Sequence, residues 1–331
     1  MNLQTHVLIP KAKFEISHHS NMLLLGSCFS ENIGSKLVEN KFSVNVNPFG
    51  VLYNPISIYN TIKRLLDKNL FIEEDFIFHN NQFHSLMHHG SFSKPSLNEA
   101  MLHVNNEFNI AATQLENADI LLITFGTSYI FKWNESRKVV GNCHKIPANK
   151  FTRARLSVEE ISLEWNSLMD KMLNINSNLK VIFTVSPIRH FKDGAHENQI
   201  SKSILHLSID KLMNQFPDNA FYFPAYEIVM DQLRDYRFYA EDMLHPTELT
   251  QNYIWNRFSE TYFSPVTQNI NDEWQKILQS LSHRPYNIDS DTYRDFLCRT
   301  FNDLKAFEER YEFISCSHEK QHLTQLLQTT Q

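Results

Sequence analysis

Apolar and polar positions alternate between two periods along this chain. The run Met22-Leu23-Leu24-Leu25 stops at Gly26, and Ile33, Leu37, Val38 and Phe42 then recur at three- to five-residue spacing. An unbroken apolar run of strand length followed by the period of one helix face predicts a buried strand feeding an amphipathic helix. Phe42-Ser43-Val44-Asn45-Val46 alternates as a strand does and ends in the turn signature Asn47-Pro48-Phe49-Gly50. Pro55 opens a helix to about Asp67, with Ile58, Ile62, Leu65 and Leu66 on one side. A long helix is predicted from Ser96 to about Asn117. Asp119 to Gly126 is nearly continuous in apolar residues and ended by glycine, as a central strand covered on both faces reads.

Tyr129 to Trp133 and Arg137 to Val140 predict a short hairpin. Ser157-Val158-Glu159-Glu160 is a capping box that opens a helix to about Asn174. Leu179 to Val185 reads as another buried strand, Asn198 to Phe216 as a helix and Ala220 to Phe223 as a last short strand. A polar, aromatic loop from Tyr236 to Thr247 precedes a final helix. Residues 1–21 read as a polar lead-in with one short edge strand. From about residue 265, Tyr293, Phe296, Leu297, Phe301, Leu304 and Phe307 stand at helical spacing among many charges.

Strand and helix alternate through the first 264 residues, which predicts a three-layer α/β/α sandwich on a mostly parallel sheet, flavodoxin-like in character. We expect one such domain over 1–264 and a C-terminal helical extension over 265–331. Ligands in sheets of this kind bind beyond the carboxyl ends of the strands.

Composition narrows the function. With 42% hydrophobic residues in 331, the chain has enough apolar content for a full core. A net charge of -6 and no Lys/Arg run argue against nucleic acid as a partner. No segment reads as a secretion signal or membrane span, and no membrane partner is expected. Cys28, Cys143, Cys298 and Cys316 are too scattered for a disulfide framework, so a cytoplasmic location is expected. Glycine is scarce at 7 residues, which gives weight to Gly26, Gly50, Gly126 and Gly141 as positions needing an unusual backbone angle or close approach.

Three features carry candidate chemistry. Ser27 and Cys28 follow the first strand, so Cys28 is expected at a helix N-terminus, where free N–H groups lower a thiol's pKa and can hold an oxyanion. Asp242-Met243-Leu244-His245 places a carboxylate three residues before an imidazole, close enough on one tight loop to fix the tautomer and leave Nε2 free as a base. The histidine-rich patch His79, His84, His88 and His89 contains an i, i+4 pair, but no nearby carboxylate or cysteine completes a metal set. We read it as a solvated or substrate-facing loop and expect neither metal nor cofactor.

A nucleophile after the first strand, glycines after the second and third, and D-x-x-H before the last helix together resemble the SGNH/GDSL hydrolase superfamily. More closely, Gly26-Ser27-Cys28-Phe29-Ser30 resembles the name-giving motif of the GSCFA domain family. The likeness covers roughly residues 20 to 260, including Asn142-Cys143-His144-Lys145 and Ser186-Pro187-Ile188-Arg189-His190. It implies Cys28 as nucleophile, His245 as base and Asp242 as its orienter, with Ser27 the alternative nucleophile if the match slides by one residue. It also implies Gly50, Gly126 and Ser128 at the oxyanion hole, with Ser128 standing where an asparagine is expected, and Asn142, His144, Arg189 and His190 near substrate. The implied activity is hydrolysis of an acyl ester, on a small molecule or an acylated carbohydrate, through a covalent acyl-enzyme. An acyltransferase using the same residues and a binding protein that has lost activity are the alternatives.

Overall fold

The computed structural model describes residues 5–288 and 290–329. Five apolar segments form one parallel sheet: β1 (Met22–Gly26), β2 (Val44–Val46), β3 (Ile120–Phe125), β4 (Lys180–Val185) and β5 (Ala220–Tyr222), in spatial order β5-β4-β3-β1-β2. That is the doubly wound 2-1-3-4-5 arrangement, whose strand order reverses between β1 and β3. The register sets Gly26 beside Thr124, and Phe125 beside Val185, so the carboxyl ends of the three central strands lie level.

Alternation within the strands explains why both faces are covered. Leu23, Leu25, Leu121, Ile123, Phe125, Val181, Phe183 and Val185 point into one core cluster with helices α2 (Pro55–Leu66), α3 (Leu97–Glu116), α4 (Val158–Ile175) and α5 (Ala195–Gln215). The intervening Met22, Leu24, Ile120, Leu122 and Ile182 are buried on the opposite face. There α1 (Cys28–Glu39) comes so close to β2 that a Cβ on Gly34 would lie 2.5 Å from Val46. α6 (Glu248–Tyr262) brings Phe258 onto Phe223, ring centroids 5.3 Å apart. The α/β/α layering thus follows from strands that are apolar on both sides.

By contacts the chain divides into two units. The first takes residues up to Pro10, Asn21–Lys36 and Val44–Phe258; the second takes Lys11–Ser20, Leu37–Ser43 and everything from Ser259. The second unit therefore takes Lys11–Ser20, Leu37–Ser43 and residues 259–264, all of which the sequence reading gives to the first domain. Its core forms between α7 (Pro265–Leu281), α8 (Asp291–Arg310) and α9 (Ser317–Thr329), where Trp274, Leu297, Leu304, Phe307 and Leu323 are buried. Lys41 pairs with Glu319 at 2.7 Å within this unit.

Three expectations are corrected. The lead-in holds no strand among its described residues; Ile16 makes one isolated parallel bridge to Phe263. The hairpin at Tyr129–Trp133 gains a third strand, Phe151–Arg155, whose mostly exposed side chains gave no apolar alternation to detect. The histidine patch is no solvated loop: His84 belongs to a strand, Gln82–Ser85, paired with Phe76–His79, so helical spacing does not apply to it. His84 and His88 are buried, and His88 stacks on Phe49 at 4.3 Å. Among the described residues no group of three His, Cys, Asp or Glu side chains is arranged to hold a metal. No described helix is long and apolar enough to cross a membrane.

One buried charge holds the sheet end together. Lys202, on α5 and fully buried, donates from Nζ to the carbonyls of Gly126 (2.6 Å) and Ser186 (2.7 Å), the residues that follow β3 and β4. Burial, with the Arg189 charge adding to it, pushes the ammonium down from its ordinary 10.5 to about 7. Between those two values the unfolded chain binds a proton that the folded chain does not, so this group makes stability rise with pH from about 7 upward. Lys202→Met keeps the apolar stem but leaves two buried carbonyls without donors. We expect a loss of about 2–4 kcal/mol at neutral pH. The variant should also lose the pH-dependent rise. Urea unfolding at pH 7 and pH 9 measures both, and unchanged midpoints would contradict this account of Lys202.

Candidate active site

Gly26 turns the chain out of β1 with φ at 148°, and a Cβ there would lie 2.4 Å from the Thr124 carbonyl oxygen. The second loop then clamps it. Asn47 Oδ1 accepts the Gly26 N–H at 2.9 Å, and the Gly26 carbonyl accepts Leu52 N–H at 2.9 Å. α1 starts two residues later, at the point where strand order reverses. Ser27 Oγ accepts Phe29 N–H (3.3 Å) and its carbonyl accepts Ser30 N–H (2.8 Å), the contacts of an N-capping residue. Ser27 is consequently sealed, at 2% exposure, while Cys28 is partly exposed.

The Asp242–His245 loop folds as its spacing predicts. Asp242 Oδ1 accepts the N–H groups of Leu244 and His245, both at 2.9 Å, and Oδ2 lies 2.5 Å from His245 Nδ1. Met243 takes a positive φ of 58° to close this turn. These hydrogen bonds, the His245 backbone N–H foremost, pull the Asp242 carboxyl down to about 2. Both side chains are about half exposed, and His245 Nε2 makes no hydrogen bond among the described residues.

Cys28 Sγ is not hydrogen-bonded to His245. Its hydrogen-bonding neighbour is the Tyr53 hydroxyl, 3.8 Å away, on the loop before α2. Burial foremost, then the adjacent Cys28, raises the Tyr53 phenol well above its ordinary range, so it stays protonated as a donor. The Tyr53 ring meets His190 edge-on at 5.9 Å, and His190 lies within electrostatic reach of both His245 and Lys202. Burial first, then the Lys202 charge, pushes His190 down to about 4, which leaves a neutral imidazole at pH 7. Pairwise contacts thus run from the thiol to Tyr53 and from Tyr53 to His190, which feels the His245 charge.

A cavity of about 430 Å³ opens beside them. Tyr53, Tyr129, Phe131 and Val140 give it an apolar side, while Asn54, Asn142, Asn198 and Lys192 supply polar groups. That mix and size suit a small organic ligand. Arg153 stacks over Tyr129 at 3.9 Å and pairs with Asp193 at 2.5 Å, closing one edge. Cys143 also lines the cavity, and burial raises its thiol.

The residues expected at the oxyanion hole already make hydrogen bonds within the fold. The Gly50 N–H donates to the Asn47 carbonyl at 2.6 Å, and the Gly126 N–H to the Tyr53 carbonyl at 2.8 Å. The Ser128 hydroxyl and N–H both go to Ser201 Oγ, at 3.0 and 2.8 Å. Of the residues expected near substrate, Asn142 and His190 line the cavity. His144 does not: it is buried, stacked on His84 at 4.4 Å, with Nε2 on the Ser85 carbonyl at 2.9 Å. Arg189 also lies outside the lining: its charge lies near the Tyr226 phenol, and its Nε is buried without a partner among the described residues. Sequence reasoning missed Tyr53, Tyr129 and Arg153. Position alone could have flagged Tyr53, on the loop after β2 next to the Asn54 cap of α2.

A profile of the GSCFA family matches residues 21–258, and one of the GSCFA domain protein C-terminal domain matches residues 274–329. The chain belongs to the GSCFA family. No curated protein gives a match to it. In this GSCFA chain the first matched region spans the whole parallel sheet, the Ser27-Cys28 turn, the cavity and the Asp242–His245 loop. The second falls on α7 to α9.

Proposed function

We propose that this GSCFA protein is an acyl-ester hydrolase of SGNH-like mechanism, acting through a thioester on Cys28, with a small-molecule or carbohydrate ester as substrate. The observation that carries the proposal is the placing of a partly exposed thiol at the first residue of α1, at the strand-order reversal, with Ser27 sealed beside it. Helix N-terminal N–H groups at that position can stabilise negative charge that develops during acyl transfer.

The reaction balances as follows. Sγ–H yields its proton to His245 Nε2, and the sulfur pair bonds the ester carbonyl carbon while the carbonyl π pair moves to oxygen. Return of that pair breaks the bond to the leaving alkoxide, which takes the proton from the imidazolium. Water, deprotonated by the same imidazole, then adds to the thioester carbonyl; collapse breaks the C–S bond, the carboxylic acid leaves, and the sulfur takes the proton back from the imidazolium. Asp242 keeps the Nδ1 proton in place and stabilises the imidazolium between these steps. His245 reaches Cys28 only if its exposed loop closes over bound ester, since the two are not hydrogen-bonded in the free protein; catalytic contacts that tighten in the substrate complex are common.

The thiol also favours a second reading, transfer to an alcohol acceptor, because a thioester passes its acyl group to alcohols as well as to water. p-Nitrophenyl acetate without added alcohol separates the two. Steady release of nitrophenol, linear well beyond one equivalent, is the hydrolase result. A one-equivalent burst that stalls until glycerol or a sugar is added indicates the transferase, and no release above the solvent rate contradicts both.

A further inference from the structure

We infer that the Tyr53 hydroxyl is the oxyanion donor of this site; the inference rests on the Cys28 acyl-transfer reading. Gly50, Gly126 and Ser128 have their donors engaged in internal hydrogen bonds, so the hole that the chemistry requires must come from elsewhere. Tyr53 Oη lies 3.8 Å from Cys28 Sγ, which is its hydrogen-bonding partner among the described residues. A carbonyl carbon bonded to Sγ can carry its oxygen into the space between sulfur and phenol, within the roughly 3 Å reach of a donor.

The backbone holds this hydroxyl in position before substrate arrives. The Tyr53 carbonyl accepts both Gly126 N–H (2.8 Å) and Thr127 N–H (2.9 Å), tying the loop to the end of β3. The next residue, Asn54, caps α2 by accepting Ser57 N–H at 2.8 Å. The glycine N–H of the third loop therefore fixes the donor instead of acting as one. In the addition step the phenol donates a hydrogen bond to the developing alkoxide and keeps its proton, so no charge or atom is transferred through it. Its raised pKa is consistent with that role.

Tyr53→Phe removes only the hydroxyl. Two rates on the full-length protein test the inference: acylation of Cys28 by p-nitrophenyl acetate, which develops an oxyanion, and alkylation of Cys28 by iodoacetamide, which does not. Peptide mapping assigns each to Cys28, because Cys298 is exposed and also reacts. We expect acylation to fall about 10²- to 10³-fold. Alkylation should stay within about threefold, and the thermal midpoint should not change. Equal acylation by variant and wild type overturns the Tyr53 role and leaves the parent reading standing. A parallel fall in both rates also overturns it, since the hydroxyl then acts on thiol ionisation. No acylation of Cys28 in the wild type overturns the parent reading, and this inference with it.

Discussion

Cys28→Ala is expected to lower turnover of an activated acyl ester by about 10³-fold or more, while Ser27→Ala should keep turnover within a few-fold of wild type. The contrast follows from how the turn after β1 is built. Ser27 presents its oxygen to the Phe29 N–H and lies against Gly126, 2% exposed, so an incoming ester cannot reach it without opening the turn. Its loss should cost about 1 kcal/mol through the missing cap. Cys28 is the first residue of α1, is partly exposed, and faces the Tyr53 hydroxyl. Initial rates of both variants, with unfolding midpoints alongside, make the comparison. Full activity of Cys28→Ala with none in Ser27→Ala would reverse the assignment.

Asp242→Asn is expected to lower turnover by about 10²- to 10⁴-fold with little change in stability. Asn can keep an Oδ1 for the Leu244 and His245 N–H groups, so the turn survives. What it replaces is the oxygen facing His245 Nδ1 at 2.5 Å. An amide N–H there repels Nδ1–H and favours the tautomer that protonates Nε2, which then cannot accept the thiol proton. The half-exposed setting of the pair places the effect in turnover, and not in folding. Wild-type turnover in the variant would remove Asp242 from the mechanism.

The sheet was legible because its strands are apolar on both faces, and β1, β3 and β4 each end at a small residue or proline that marks the turn. The order of motifs in sequence then put the Ser27-Cys28 turn and the Asp242–His245 loop at the strand ends. D-x-x-H was readable as a pair because all its contacts lie within three residues. The oxyanion set was not readable for the opposite reason. Whether the Gly126 N–H is free depends on the Tyr53 carbonyl, which comes from another loop. Tyr53 reaches Cys28 across 25 positions in sequence, and no local pattern encodes that distance. Nothing local marks Lys202 as buried, because the two carbonyls that accept from it follow β3 and β4 in other parts of the sequence. The histidine patch reads as a loop because its paired strands, Phe76–His79 and Gln82–Ser85, are only four residues each and the Phe49 ring that stacks on His88 comes from another loop.

The central claim is that acyl groups pass through the Cys28 sulfur. Rapid mixing of the protein with p-nitrophenyl acetate, acid quenching within the first turnover, and intact-mass analysis with peptide mapping test it directly. The account predicts one acetyl group on the peptide containing Cys28, removable by hydroxylamine at neutral pH as a thioester is, and absent from Cys28→Ala. An acetyl group on Ser27, or ester turnover that persists undiminished in Cys28→Ala, would contradict it.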